Sequence, residues 1–283
     1  EIAYPLLDEI DLYLISSNGE MTTYALGDRF PFAQRPIQHR HFIVPVPLGF
    51  SQQASIYLRV HSNSSLQVPL LVWQPEMFQT EDIGRTAAHG IFFGGLLIIA
   101  LYNLLVYLVL GERSYLYYVS YVFSMLLFMA SLNGWNYQFL WPTAVHWNDR
   151  SILVFVSVLI LSAWVFSARF LEVGLISRKL SLWHAANASL CALFTLLALV
   201  APYSTAIALI MPHAGMSAVW GMLVGLIAWR HGIPAARYFV LAWSMLLVGA
   251  IMMALSKTHL LPRNPVTVNM IQIGSLLEVL LLS

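Results

Sequence analysis

One carboxylate sits alone among the long apolar runs of this 283-residue chain. Glu278 lies in "IQIGSLLEVLLLS" (271–283), where an isolated charge at mid-bilayer costs about 2.5–3.5 kcal/mol on insertion scales and therefore needs a partner inside a helix bundle. Gln272, Ser275 and Glu278 are spaced so that each lies about 60° around a helix from the last, forming a slanted polar stripe, with Asn269 on the face opposite Glu278. Two roles suit the stripe equally well. It is a polar switch within the bundle, or a carboxylic acid held neutral or hydrogen-bonded for packing alone. Asn103 in "LYNLL", Asn133, Asn187, His184 and His213 are further polar residues within the apolar runs, and interhelical hydrogen bonds suit them better than ligand binding. His213 and Ser217 share a helix face four residues apart, but no nucleophile elbow or oxyanion motif accompanies them. Pro212 beside them marks a kink.

Other chemistries are excluded by what is missing. The sequence contains no HExxH, no Walker A loop and no CxxC. Cys191 is the single cysteine, which leaves no internal disulfide and no cysteine-based metal site; it reads as a small buried hydrophobe. The last apolar run holds no lysine for a retinal-type Schiff base, and one carboxylate is too few for an ion-coupled transporter. No catalytic residue, metal or cofactor is expected in this segment, and with a net charge of +1 and no basic run, no nucleic-acid partner.

The elements that position these residues follow from composition. Hydrophobic residues make up 59 % of the chain and charged residues 10 %, against about 25 % charged in soluble domains; the mean hydropathy is +0.73. Residues 1–87 have ordinary mixed composition, whereas long charge-free stretches begin at Ala88. The fold class expected is a multi-domain membrane protein: a partial extracytoplasmic β-sandwich over 1–80, a linker over 81–87, and an all-α seven-helix transmembrane bundle over 88–283. Strands are expected at "IDLYLI" (10–15), "FIVPVPL" (42–48), "SIYLRV" (55–60) and "VPLLVW" (68–73), separated by turns at Ser17-Asn18-Gly19, Gly27-Asp28 and Asn63-Ser64-Ser65. Such a sandwich is thin for an independent domain. The chain opens on Glu1 with no Met or signal peptide and stops within an apolar run, so further sequence is expected on both sides.

A bilayer core of about 30 Å needs roughly 20 apolar helical residues. Seven stretches qualify or nearly so: about 88–110, 115–139, 151–171, 182–201, 205–229, 238–256 and 266–283, the last with 18 residues. Glu278 would lie roughly 18 Å along the seventh, a little past the midplane. With the N-terminal region outside, Arg113, Arg169, Arg178, Lys179, Arg230 and Arg237 face the cytoplasm, against Arg85, Arg150, Lys257 and Arg263 outside, a modest positive-inside bias. Trp135, Trp141 and Trp147 cluster with Pro142 as an interfacial belt does. "GIFFG" (90–94) and "GMLVG" (221–225) carry the small-xxx-small spacing of close helix packing.

Several stretches together resemble the bacterial seven-transmembrane receptors with diverse intracellular signalling modules. "YPLLDEIDLYL", "GDRFPFAQRPIQHRHFIVPVPL" and "YLRVHSNSSLQVPLLVW" are similar to that family's sensory domain. "ALYNLLVYLVLGERSYLYYVSYV", "NGWNYQFLWP", "ARYFVLAWSMLLVGA" and "IGSLLEVLLLS" are similar to its helices one, two, six and seven. The resemblance implies a jelly-roll-like sensory domain and a receptor in the bacterial inner membrane that senses a periplasmic ligand, with carbohydrate as the class suggested by that domain's shape. It implies a fused cytoplasmic effector, such as a histidine kinase or diguanylate cyclase, fed by the seventh helix, and allows a homodimer. The family supplies no catalytic set to carry over. Arg35, His39 and Arg40 in "RPIQHR", with Trp73, are the candidate residues of the sensory region, and a strand-holding role suits the first three better than ligand contact. The alternative function is a transporter or intramembrane enzyme working inside the bundle; a β domain merely anchored in the membrane would need only one helix.

Overall fold

The computed structural model describes residues 1–16, 19–46, 54–63, 65–257, 260–262 and 265–283. The turn expected at Ser17-Asn18, the end of the strand expected over 42–48, Ser64 and Arg263 lie outside the described residues. Two compact units comprise Glu1–Ile83, Phe128–Ile152 and Ala201–Thr205 on the one hand, and Gly84–Leu127, Leu153–Val200 and Ala206–Ser283 on the other.

In the first unit, β1 (Glu9–Ser16) is the centre of a three-stranded antiparallel sheet, flanked by β2 (Met21–Leu26) and β3 (Ala54–His61). Alternation along β1 buries Ile10, Leu12 and Leu14, as a half-buried strand requires. The register pairs Ile10 with Leu26 on one side and with Val60 on the other. Outside this sheet, Ile2 forms isolated antiparallel bridges to Phe42 and Leu70. Ile2, Leu7, Ile10, Leu26 and Phe42 form a small apolar core, each such side chain contributing about 1.5–3 kcal/mol when fully buried. The strands expected at 42–48 and 68–73 therefore reduce, among the described residues, to single bridges. Pro45 and Pro69 lack the N–H that a continuous ladder needs. β2 was not foreseen; its outward residues Met21, Thr22 and Thr23 are exposed and give little apolar signal.

The helices are α1 (Pro75–Leu110), α2 (Arg113–Leu132), α3 (Trp135–Phe139), α4 (Val145–Phe170), α5 (Val173–Ile176), α6 (Arg178–Val200), α7 (Tyr203–Arg230), α8 (Ala236–Lys257) and α9 (Pro265–Leu282). Residues 81–87, expected as a linker, are helical within α1. Pro75 occupies the first helical position and Glu76 the first turn, both favourable at a helix start, and Gly84 is the one weak helix former between them and the apolar run. The stretch 115–139, expected as a single span, breaks at Gly134 (φ 76°) between α2 and α3. A Cβ there would lie 2.9 Å from Pro5 Cβ and 3.3 Å from the Arg40 carbonyl oxygen, so glycine both permits the left-handed turn and admits the neighbouring backbone.

Among the described residues, six helices are long and apolar enough to cross a membrane: α1, α2, α4, α6, α7 and the helix of α8. The seventh, α9, has a shorter apolar segment, Asn269–Leu282. In the second unit, α8 and α9 pack backbone to backbone. A Cβ on Gly249 would fall 2.5 Å from the Met270 carbonyl oxygen, and one on Gly274 would fall 2.5 Å from that of Met245. Gly221 and Gly225 of "GMLVG" similarly admit the Trp243 and Phe239 rings of α8, at 2.8 Å from each ideal Cβ. Gly90 and Gly94 of "GIFFG" have nothing within 4 Å of theirs, so only the second of the two motifs serves close packing in this chain.

Candidate functional site

The polar stripe foreseen on α9 is buried along its whole length. Gln272 is nearly inaccessible, and Ser275 and Glu278 are fully so. The Ser275 hydroxyl donates to the Gln272 carbonyl at 3.0 Å, which satisfies it within its own helix. Glu278 instead reaches α2: the Tyr121 hydroxyl donates to its Oε2 at 3.0 Å. One turn earlier on α2, the Tyr118 hydroxyl donates to the carbonyl of Val279, next to Glu278. Two tyrosines spaced three apart thus grip two consecutive residues of α9, one by its side chain and one by its backbone. Oε1 of Glu278 is buried with no hydrogen-bond partner among the described residues, so the carboxyl is only half satisfied. Neither tyrosine was singled out from sequence; the signal available was "RSYLYYVSYV", in which Tyr118 and Tyr121 lie on one helical face.

This contact is packed on aromatic rings. Phe166 of α4 sits 5.2 Å from Tyr118 and stacks on Tyr121 at 6.3 Å. The contacts continue from Phe166 to Phe170 (5.0 Å), to Phe239 of α8 (6.3 Å) and to Trp243 (5.2 Å). Trp243 donates its Nε1–H to the Ala218 carbonyl of α7 at 2.7 Å. One continuous path of rings therefore joins α2, α4 and α8 and ends on α7, with Glu278 at its α2 end.

The remaining polar residues of the bundle divide in two. Asn103, Asn133 and Asn187 donate to the carbonyls of Ile99, Met129 and Trp183, four residues back in their own helices. Among the described residues these amide groups bond within their own helices, in place of the interhelical bonds expected of them. His213 does bridge helices: its Nε2 lies 3.3 Å from Cys191 Sγ on α6 and 3.3 Å from Ser217 Oγ, which also accepts from Trp164 Nε1–H of α4 at 3.3 Å. Cys191 is buried as expected but has a polar neighbour. His184 packs edge-on against Trp164 at 4.6 Å.

In the first unit the four sensory candidates act as clamps. Buried Arg35 donates from one Nη to the carbonyls of His39 and Arg40, at 2.7 and 2.8 Å. Its guanidinium lies 4.5 and 4.4 Å from the Phe32 and Phe42 ring centres. Burial lowers its pKa to about 10, partly opposed by Tyr137 and Asp28; it stays charged. Arg40 faces the Trp135 ring at 4.7 Å and Asp82 at 3.6 Å. Trp73 donates its Nε1–H to Glu1 Oε2 at 2.6 Å, and His41 Nδ1 meets Glu1 Oε1 at 2.7 Å. Tyr137 donates to the Phe30 carbonyl at 2.6 Å.

His39 has a definite protonation preference. Its Nδ1 accepts the His41 N–H at 3.1 Å and its Nε2 meets Asp82 Oδ1 at 3.0 Å, a pattern met in full by the neutral Nε2–H tautomer. Burial lowers its pKa, outweighing the opposite pull of Asp82, and His41 is lowered for the same first reason. A histidine whose folded pKa is depressed stabilises the fold fully above its unfolded pKa of about 6.5, and that stabilisation is lost as pH falls through 6.5 toward the folded value. Denaturant unfolding followed by Trp fluorescence should show lower stability at pH 5.5 than at pH 7.5, with the difference reduced in His39→Gln. A variant whose pH dependence matches the parent would assign that dependence to other groups.

A model of the family described as 7TM diverse intracellular signalling matches residues 85–283, and one described as 7TMR-DISM extracellular 2 matches residues 1–74. Comparison with curated proteins and with solved structures gave no match. An N-terminal sheet under an extracellular-domain model, followed by membrane-capable helices under a model that covers most of the chain, leads to one conclusion: the chain belongs to the 7TM diverse intracellular signalling family, as a transmembrane receptor with an extracellular domain and a helical membrane bundle.

Proposed function

We propose that this receptor detects a ligand on the periplasmic side of a bacterial inner membrane and passes the signal along α9 to an intracellular module fused behind it. Carbohydrate is the ligand class the resemblance favours, and the segment itself carries no catalysis. The observation that bears most weight is the double grip of Tyr118 and Tyr121 on Glu278 and Val279. It joins the helix nearest the output to α2, whose far end belongs to the same compact unit as the sheet. A receptor of this design signals by shifting between two helix arrangements that differ in free energy by a few kcal/mol.

The alternation of spans has its own support. Residues 1–83 share one compact unit with 128–152 and 201–205, the connections after the second and fourth spans, which alternation puts on the same side as the N-terminal domain. Labelling intact cells with a membrane-impermeant maleimide, in a Cys191→Ser background, should modify Ser65→Cys and spare His231→Cys until the membrane is opened; the reverse pattern would invert the topology. The coding sequence beyond Ser283 should run on into a signalling domain. A stop codon there would remove the fused module from the proposal and leave a separate partner as the output.

A further inference from the structure

The first unit contains a polar cavity unrelated to the Glu278 contact. It is lined by Asp8, Asp28, Arg29, Asn63, Asp149 and Tyr203 and has a volume of about 20 Å³. A cavity needs roughly 10–15 Å³ to hold one water, so this one admits a single water-sized body and no sugar ring. Three carboxylates line it, and they are not equivalent. Asp8 is satisfied: it accepts from the Ser62 hydroxyl at 3.0 Å, from the Asn63 N–H at 3.0 Å, and pairs with Arg29 at 3.2 Å. Arg29 pairs with Asp8 at 3.2 Å and with Glu9 at 3.6 Å, so its charge is shared with those two carboxylates. Asp28 is different. Its side chain is 5 % exposed, and its Oδ1 is buried with no hydrogen-bond partner among the described residues. The charges that act on it are Asp149 and Asp8 on the negative side, Arg35 and Arg29 on the positive. Arg35 is committed to the carbonyls of His39 and Arg40. Around Asp149 the other charged groups are His146 and Arg150.

We infer that this cavity is a binding site for one hard cation of the calcium type, held between Asp28 and Asp149. Apart from Arg29, the polar side chains of the lining carry oxygen ligands, on the two carboxylates, Tyr203 and Asn63, a set that suits Ca²⁺ or Mg²⁺ and not a soft metal. Size and ligand number separate those two. Mg²⁺ keeps several tightly held waters, whereas Ca²⁺ accepts irregular oxygen shells at 2.3–2.6 Å, and the space here leaves no room for an inner hydration shell. No three His, Cys, Asp or Glu side chains among the described residues are gathered as a full metal cage, which agrees with Asp8 being occupied elsewhere. A two-carboxylate site belongs with the weak extracellular calcium modules, with Kd of about 10⁻⁴–10⁻³ M. Its ligands come from four places in the chain: Asp28 follows β2, Asn63 follows β3, Asp149 lies near the start of α4 and Tyr203 opens α7. Occupancy would tie the sheet to the starts of two helices, so the site is placed to set how firmly the unit is held together.

The test uses the full chain in detergent. At 10 mM CaCl₂ the melting temperature should rise by about 3 °C over NaCl of equal ionic strength, the shift expected at roughly ten times Kd, and MgCl₂ should give less than half of that. Asp28→Asn is isosteric and removes a buried unpaired charge, so it should fold at least as well as the parent without calcium and lose the calcium shift; Asp149→Asn should lose it too. Tb³⁺ luminescence sensitised through the nearby aromatic rings, displaced by Ca²⁺ and not by Mg²⁺, reads binding directly in the unmodified protein. Equal shifts with Mg²⁺ and Ca²⁺, no shift with either, or a calcium shift that survives in both variants would overturn the site. None of these outcomes depends on the output module, so failure here leaves the signalling proposal standing.

Discussion

Replacing Gly249 or Gly274 with alanine should destabilise the helix bundle by about 1–3 kcal/mol each, the usual cost of forcing atoms into a packed interior. The new methyl at either position falls 2.5 Å from a carbonyl oxygen of the facing helix, and that atom is backbone, so relief requires α8 and α9 to move apart. Intrinsic propensity alone predicts the opposite sign, since alanine gains about 0.5–1 kcal/mol over glycine in a helix interior. Gly94→Ala is the matched control: it lies in α1 with nothing within 4 Å of its ideal Cβ, so it should melt at or slightly above the parent. Thermal unfolding of the purified receptor in detergent separates the cases. If Gly249→Ala melted with Gly94→Ala, the close approach of the two helices would be wrong. In the proposed signalling path through α9, both α8–α9 variants should also change basal signalling at temperatures where they remain folded.

The membrane part was legible because composition alone decides it: apolar runs of bilayer length have few other uses. The burial of Gln272, Ser275 and Glu278 was legible too, since spacing on a helix fixes which residues share a face. What could not be read was the partner of Glu278, because Tyr121 lies 157 residues away in sequence and nothing local links the two. The same limit hid Gly249 and Gly274. Small-xxx-small spacing pointed to Gly90 and Gly94, yet the tight crossing is made by one glycine on each of two helices, a pattern that no single-helix motif contains. In the sheet region the errors ran the other way. The apolar stretches at 42–48 and 68–73 promised strands and supply single bridges, whereas β2, mostly polar on its open face, pairs along its whole length with β1. Hydrophobicity there marked core contacts, and Phe42 and Val68 do pack against the core, while prolines decided where a ladder could run. Asp28 was quoted only as turn chemistry; its buried, unpaired oxygen is a property of the assembled unit.

The Tyr121–Glu278 contact should behave as a coupled pair, and a double-mutant cycle is the way to show it. Tyr121→Phe keeps the ring packed against Phe166 but leaves the Glu278 carboxyl with neither oxygen bonded, since Oε1 already has no partner among the described residues. Removing one partner of a buried polar pair costs about 1–3 kcal/mol. Glu278→Leu removes the polar group from an apolar site and spares its desolvation, so it should cost less than Tyr121→Phe or even stabilise the bundle. The double variant should then sit close to Glu278→Leu alone, giving a coupling energy of about 1 kcal/mol or more from thermal unfolding. Additive single effects would mean that the hydrogen bond contributes nothing to the fold. Signalling distinguishes the two roles left open by the sequence. If the half-satisfied carboxyl exists for switching, Glu278→Leu should fix the output of the full-length receptor at one level, with or without ligand, while expression and insertion are unchanged. If the carboxyl only packs, the output keeps its ligand response and merely tracks stability. The first result is expected here, because a bundle selected for stability alone has no reason to bury a carboxyl with one oxygen unpaired.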